Sequence, residues 1–461
     1  MRRLEKAGLV GFGLVAGVAL SLHFAALADK ETLVSPLPIE ELRAFTEVFG
    51  HIKNSYVEPV SDKKLFTEAI NGMLNGLDPH SAYLDADAFK DLQVGTQGEF
   101  GGLGIEVGME DGLVKVISPI EDTPAYQAGV KSGDLILKLD DALVKGLSLN
   151  DAVKRMRGKP GSKIVLTILR KNEQKPLTIT VVRAVIKVQS VKAKLAEPGY
   201  GFVRITQFQE HTGENLATAL DKLVKENKGA LNGLVLDLRN DPGGLLDGAV
   251  AVSAAFLAKD ALVVYTEGRT EDAKMRLTAS PEYYLRGNNK NDYIKNIPAS
   301  IKSVPLVVLV NGGSASASEI VAGALQDHKR GVIMGTQTFG KGSVQTVLPL
   351  GNNTAIKLTT ARYYTPGGRS IQAKGIVPDI LAEDPSTSAS DNTFRLREAD
   401  LEKHLTNDKQ PEDKSPLTVK ADTSPKGNTE KQPPAEYGSK NDYQLNQAFN
   451  LLKGMKILQG K

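Results

Sequence analysis

A chain of 461 residues exceeds what one ordinary core holds, and three folded units joined by linkers is the expectation. Hydrophobic residues at 41% and charged residues at 24% are the balance of soluble globular domains, while 5% aromatics without a tryptophan does not advertise aromatic sandwich packing. The formal charge of +3 offers no nucleic-acid surface, and the absence of cysteine excludes disulfides and thiol chemistry.

The first 28 residues stand apart from the fold. Arg2, Arg3 and Lys6 form a positive start, Ala7 to Ala25 is almost wholly apolar, and Ala26-Leu-Ala28 fits a small-residue cleavage site. The pattern reads as an export signal, with an uncleaved membrane anchor as the alternative, since about 20 apolar residues can span a bilayer. Either way the bulk of the chain is expected outside the cytoplasm, in the periplasm or cell envelope, membrane-associated if the segment is retained. Its loss removes three basic side chains and one acidic, taking the charge from +3 to +1.

Residues 37–92 read as helical. Leu42, Phe45, Phe49, Ile52 and Tyr56 recur at spacings of three and four, as do Leu65, Ala69, Met73 and Leu77, and Asp78-Pro-His80 breaks the second helix. Two such stripes need a partner domain or a second subunit to cover them.

Residues 96–185 change to short β-like runs at 103–107, 113–116, 135–139, 164–169 and 177–182, separated by glycine- and proline-rich turns, with one helix at Asn150–Met156. This predicts a small barrel-like domain of about 90 residues. Residues 190–385 alternate strands (201–205, 234–238, 304–310, 331–334) with helices (215–225, 246–257 and one after Ser316), the pattern of an α/β layered core with parallel strands. Within it, 268–300 is polar and reads as an inserted lid or cap. Residues 406–440 have the composition of a disordered linker, and 441–461 ends the chain with a helix carrying Leu445, Ala448, Phe449 and Leu452 on one face.

The chemistry concentrates in two segments of the core. Asn311-Gly-Gly-Ser-Ala-Ser-Ala-Ser-Glu319 places Ser316 at the mouth of a helix, and Thr338-Phe-Gly-Lys-Gly-Ser343 presents Lys341 between glycines, with Gln345 four residues on. Three readings compete. Ser316 and Glu319 fit a capping box, and Lys341 a surface lysine in a turn. Gly335 to Lys341 has the spacing of a phosphate loop, but Gly342 stands where serine or threonine is needed, and extended, β-branched sequence follows instead of a helix.

The third reading is a hydrolytic dyad, in which a base must take the serine proton. Of six histidines, His23 leaves with the signal, and His51, His80 and His404 lie outside the core. His328 shares the serine's helix, roughly 18 Å away at 1.5 Å per residue. His211 has no acidic partner beside it except Glu210. A lysine can serve if burial keeps it neutral, with Phe339 and Val344 excluding solvent and Gln345 orienting the amine. Ala317 N–H, at a helix N-terminus, and the glycine turn Asn240–Gly244 would supply oxyanion donors.

Leu236-Asp-Leu-Arg-Asn-Asp-Pro-Gly-Gly-Leu245, Gly313-Ser-Ala-Ser-Ala-Ser-Glu-Ile320 and Phe339-Gly-Lys-Gly-Ser-Val-Gln345 together resemble the carboxyl-terminal processing (tail-specific) proteases. Arg362-Tyr-Tyr-Thr-Pro-Gly-Gly368 and Gly375-Ile-Val-Pro-Asp379 look like the segments that close that family's core, and the likeness runs from about 37 to 385. The resemblance implies a serine endopeptidase with an embedded PDZ domain and no metal or cofactor. Ser316 aligns with the nucleophile, Lys341 with the general base, Gln345 with its orienting partner, and the amides of Gly244 and Ala317 with the oxyanion hole. Gly101-Gly-Leu-Gly-Ile105 looks like the loop that receives a peptide's terminal carboxylate, with Asn150–Met156 as the other wall of the groove.

The implied partners are protein substrates with free apolar C-termini near which the chain cuts, an adaptor protein, and further copies of the chain as a dimer or a multiple of dimers. A PDZ scaffold on an inactive protease core is the alternative. The tether at 406–440 is longer than the family's usual one.

Overall fold

The computed structural model describes residues 38–459 except 111, 120–122, 132, 148, 171–172, 174, 188, 287–290, 384–396 and 410–436. The expected signal and most of the expected linker lie outside the described residues. No helix among the described residues is long and apolar enough to cross a membrane.

The chain divides into two compact units, residues 1–70 and 71–461. The first is built on helix Ile39–Ser55 and the beginning of helix Asp62–Asn75. Phe49 and Phe66 pack at 4.9 Å, and Lys53 pairs with Asp62 at 2.8 Å. Ile39, Leu42, Phe45, Val48, Ile52 and Tyr56 remain exposed.

In the second unit, strand Ala82–Leu84 and a further helix, Ala86–Gln97, continue what the sequence reads as helix alone. Asp85 caps that helix, accepting from Ala88 N–H at 2.8 Å. The PDZ-like unit follows, with strands Ile105–Glu110, Leu113–Pro119, Leu135–Leu139, Lys163–Leu169 and Leu177–Val182 in that order across one sheet, and helix Leu149–Met156. Its core holds Leu103, Val114, Val116, Ile136, Leu139, Ile164, Leu166 and Ile168. Glu99–Gly102 and Ala184–Lys187 pair as a separate ribbon where the domain begins and ends.

The α/β core is a six-stranded sheet in the order Val191–Glu197, Tyr200–Ile205, Gly233–Asp237, Leu306–Val310, Val332–Gly335, Ile380–Leu381, parallel after the first pair. Its central strands are buried at every residue, which is why they read as unbroken apolar runs. Leu234, Leu236, Val308 and Val310 face helices Leu246–Phe256 and Ala317–Asp327. Val235, Val307 and Leu309 face the C-terminal helix Tyr443–Gln459, which buries the expected Leu445, Ala448, Phe449 and Leu452. That helix is anchored ahead of its first turn: Arg239, 1% exposed, binds Asp442 at 2.6 Å and Asp237 at 2.9 Å.

A second, antiparallel sheet contains Leu262–Gly268, Arg276–Thr278, Ser343–Pro349 and the long strand Ala355–Tyr364, with Ala82–Leu84 at its edge. The segment expected as a lid is part of the core: Leu277, Ala279, Tyr284 and Ile297 are buried in it. Described polar residues such as Arg269, Glu271, Asp272, Lys274, Glu282 and Lys295 are surface positions between those apolar anchors, a mixture that hides the periodicity from a linear reading. Residues 397–409, at the foot of the expected linker, also lie against the core. Asn407 Nδ2 donates to Gln372 O at 2.8 Å, and Tyr364 donates to Asp408 at 2.6 Å.

Candidate active site

Parallel strands end side by side, so the loops leaving Leu238 and Val310 are neighbours at the C-terminal edge of the sheet. Short hydroxyl side chains stitch them together. Ser314 Oγ donates to Leu238 O at 2.8 Å, Ser318 Oγ to Asp241 O at 2.9 Å, and Ala315 N–H to the same carbonyl at 3.0 Å. The turn between them places Ser316 at the N-terminus of helix Ala317–Asp327 with φ 54° and ψ −112°. A serine with φ in this range is strained by on the order of 1–3 kcal/mol, which the surrounding bonds must offset.

Glycine is required opposite it. A Cβ on Gly243 would lie 2.7 Å from Ala315 O and 2.9 Å from both Ala317 N and Ser316 Cβ. Gly244, at φ 147°, abuts the backbone of Phe208, which binds this turn through Phe208 N–H to Gly243 O and Leu245 N–H to Phe208 O, both 2.9 Å. Among the described residues no acceptor takes the N–H of Gly244 or of Ala317. Two free amide donors therefore flank the serine, with the helix dipole favouring negative charge there.

Glu319 joins the serine to the lysine loop. Its carboxylate is fully buried and accepts from Ser316 N–H at 2.8 Å, Gly340 N–H at 2.7 Å, Lys341 N–H at 3.0 Å and Thr338 Oγ1 at 2.5 Å. Burial pushes its pKa up to about 7 against the pull of those four donors. Thr338 Oγ1 itself accepts Ile376 N–H at 2.6 Å, so its proton points at Glu319, and a proton on the carboxyl would face donors on every side. The four donors thus favour the anion, against the burial that favours the protonated form.

The lysine loop is gripped from several chain segments. Ala373 N–H donates to Gly340 O at 2.8 Å, Phe339 N–H to Ser314 O at 3.1 Å, and Gly342 N–H to Gln372 Oε1 at 3.0 Å. Tyr363 is buried, donates to Lys341 O, and lies in hydrogen-bonding contact with the Ser316 side chain. Burial holds that phenol well above its usual pKa. Lys341 is held below the usual amine range first by burial and then by the Lys357 charge, while Glu398, Glu319 and Asp78 pull the other way. Among the described residues no hydrogen bond is made to its amine.

Gln345 sits on strand Ser343–Pro349, where its amide donates to Ser343 Oγ at 3.0 Å and Thr359 Oγ1 at 3.3 Å. Thr359 Oγ1 in turn donates to Asp78 at 3.1 Å. Gln345 is thus beside the lysine loop without being bonded to its amine.

In the PDZ-like unit, Gly101 and Gly102 belong to the ribbon strand Glu99–Gly102, while Leu103 is buried in the domain core and Ile105 opens strand Ile105–Glu110. Gly104 makes the turn at φ 78°, with Thr123 packed against it and donating to its carbonyl at 3.0 Å. Strand Ile105–Glu110 is an edge strand, paired only with Leu113–Pro119 among the described strands.

The peptidase family S41 model matches residues 199–382, a PDZ domain model 101–181, and the model of the activating protease CtpB N-terminal domain 22–88. The carboxy-terminal-processing protease of Bartonella bacilliformis is 45% identical over 443 residues, covering 95% of each chain. The chain belongs to the carboxy-terminal processing proteases. Carboxy-terminal processing protease CtpB of Bacillus subtilis is another relative of this S41 chain, 37% identical over 390 residues that cover 82% of this chain and 77% of that protein. A solved photosystem II D1 C-terminal processing protease is 30% identical, with 78% of this chain and 92% of that one covered at a TM-score of 0.42. The S41 core with its PDZ domain is the fold class expected from the sequence.

Four groups of this S41 site escape a linear reading. Glu319 is visible only as a capping residue, and Tyr363 only as part of a core strand. Gln372 and Glu398 carry no local pattern at all, since their partners are 26 to 318 residues away.

Proposed function

We propose that the chain is an exported serine endopeptidase that engages proteins by a free apolar C-terminus and cleaves near that end with a Ser316–Lys341 dyad. The observation that carries this reading is the Glu319 carboxylate, which binds the serine backbone and the lysine loop at once and so fixes one against the other.

Neutral Lys341 takes the proton of Ser316 as the oxygen attacks the scissile carbonyl. The new oxyanion falls between the free N–H groups of Gly244 and Ala317. The lysinium then protonates the leaving amine, and a water activated by the same base releases the acyl group. Tyr363, in contact with the serine and the lysine carbonyl, keeps both in register. Gln345 orients the amine once its amide turns from Ser343 and Thr359. The substrate's tail adds as a strand along Ile105–Glu110, with its carboxylate at the loop Gly101, Gly102, Leu103, Gly104 and Ile105.

Residues 1–28 direct the protein to the periplasm or envelope. The exposed stripe of Ile39, Leu42, Phe45, Val48 and Ile52 is covered by a second copy, giving dimers or multiples of dimers.

Ser316→Ala and Lys341→Ala are each expected to abolish cleavage of a peptide ending in a free apolar carboxylate, with melting temperatures close to the parent's. An amidated twin of the peptide should bind and be cut far less. Substantial cleavage by Lys341→Ala would contradict the base assignment, and binding of the free peptide without any cleavage by the intact protein would favour the scaffold.

A further inference from the structure

Two carboxylates grip the lysine loop. Glu319 takes the N–H groups of residues 340 and 341. Glu398 takes hold on either side of them. Its backbone N–H donates to Phe339 O at 3.1 Å, and its Oε1 accepts Gln372 Nε2 at 2.8 Å, while Gln372 Oε1 accepts Gly342 N–H at 3.0 Å. Glu398 is fully buried, and its second oxygen meets His80 Nε2 at 2.8 Å. His80 is itself set by the Asp78 carboxylate, which accepts its N–H at 2.8 Å together with Ser81 N–H at 2.9 Å and Ser81 Oγ at 2.7 Å. The residues before and after the S41 core thus meet at the lysine loop.

Resting on the dyad reading, we propose that Glu398, braced by His80, is a positioning residue for Lys341, holding its loop through Gln372 and tuning the amine with its negative charge. A buried anion has two consequences for a general-base lysine. It fixes residues 339 and 342, so the amine meets the serine in one geometry. It also favours the lysinium that forms as Ser316 gives up its proton. Burial and Lys357 alone would leave the amine easily deprotonated but weakly basic. The charges acting on Lys341 are that of Lys357, which weakens its hold on a proton, and those of Glu398, Glu319 and Asp78, which strengthen it, and Tyr363 adds a neutral hydroxyl at the lysine carbonyl. Glu398 opposes Lys357, and the pair sets how strong a base Lys341 is.

The test is the pH profile of kcat/KM for a cleavable peptide, measured on the full chain and on Glu398→Gln, Glu398→Ala and Lys357→Met. Cleavage rises with pH as Lys341 loses its proton. Glu398→Gln keeps an acceptor for Gln372 but removes the charge, so the acidic limb moves to lower pH and kcat falls on the order of tenfold with little change in KM. Lys357→Met removes a like charge, and its limb moves to higher pH. Glu398→Ala adds loss of position, for a decrease on the order of a hundredfold.

Should melting curves show Glu398→Gln unfolded, Gln372→Met cuts the bridge while leaving the charge. Its kcat is then expected to fall about tenfold with the limb unmoved. An unmoved limb and unchanged kcat in a folded Glu398→Gln, or unchanged kcat in Gln372→Met, overturns the proposal. Cleavage by Lys341→Ala would instead overturn the dyad reading, so the two failures are separable.

Discussion

The serine loop and the lysine loop reach the same site by opposite means. Ser316 is held by its own neighbourhood: the glycine turn after Leu238, the hydroxyls of Ser314 and Ser318, and Glu319 three residues on. Lys341 has no such local scaffold. Its loop hangs from Glu319 on the serine's helix, Tyr363 on the next strand, Gln372 beyond it, and Glu398 with His80 from the two flanks of the core. In the proposed dyad the nucleophile needs one exposed hydroxyl in a fixed pose, which a tight turn supplies. A base needs a tuned proton affinity, and that takes charges gathered from far along the chain.

Glu319 is where the two loops meet, and removing it should break both. Glu319→Ala leaves four buried donors unanswered, and cleavage is expected to fall by two to three orders of magnitude, about the loss of one well-aligned general-base contact, with a lowered melting temperature. If cleavage survives within a few-fold while the fold is intact, the serine and the lysine are positioned independently.

Cutting one side at a time sharpens the comparison. Thr338→Val removes a donor on the lysine side, and Ser318→Ala removes the bond to Asp241 O on the serine side. Each is expected to cost on the order of tenfold in kcat, but only Thr338→Val should also shift the acidic limb, because only the lysine side carries the titration. Equal shifts in both would erase the distinction.

The smallest effect is one of stability. Asp241 in the glycine turn is buried with one carboxylate oxygen unpartnered, and burial raises it from 3.8 to about 7. The folded state therefore holds a proton that the unfolded state has already lost between those values. Stability falls as pH rises through that window, and the full cost is present above it. Asp241→Asn should flatten this slope in melting temperatures measured from pH 4 to 8. A slope unchanged by the substitution would show that Asp241 titrates normally.

This division also explains what the sequence reveals. Apolar runs such as Leu234–Leu238 and Val304–Val310 mark the parallel strands because both faces are buried, and the Gly-Gly and Ser-x-x-Glu spacings mark the serine loop because each is a short motif in itself, although the two meet across 76 or 77 residues. Strands Ser343–Pro349 and Ala355–Tyr364 show as extended, β-branched sequence, but their place in one sheet with Leu262–Gly268 and the buried parts of 268–300 stay hidden, since burial there is intermittent. The Glu398 brace is hidden for a different reason: its carboxylate stands 26 residues from its amide bridge and 318 from its histidine, and no local window of sequence contains them.

Titration of the Lys341 amine by NMR in the Ser316→Ala protein, set beside the acidic limb of kcat/KM in the parent, bears most directly on a buried lysine serving as base. The account predicts a midpoint below the ordinary 10.5, moving with the limb when Glu398 or Lys357 is replaced. A midpoint at or above 10.5, with cleavage already complete at neutral pH, would contradict it.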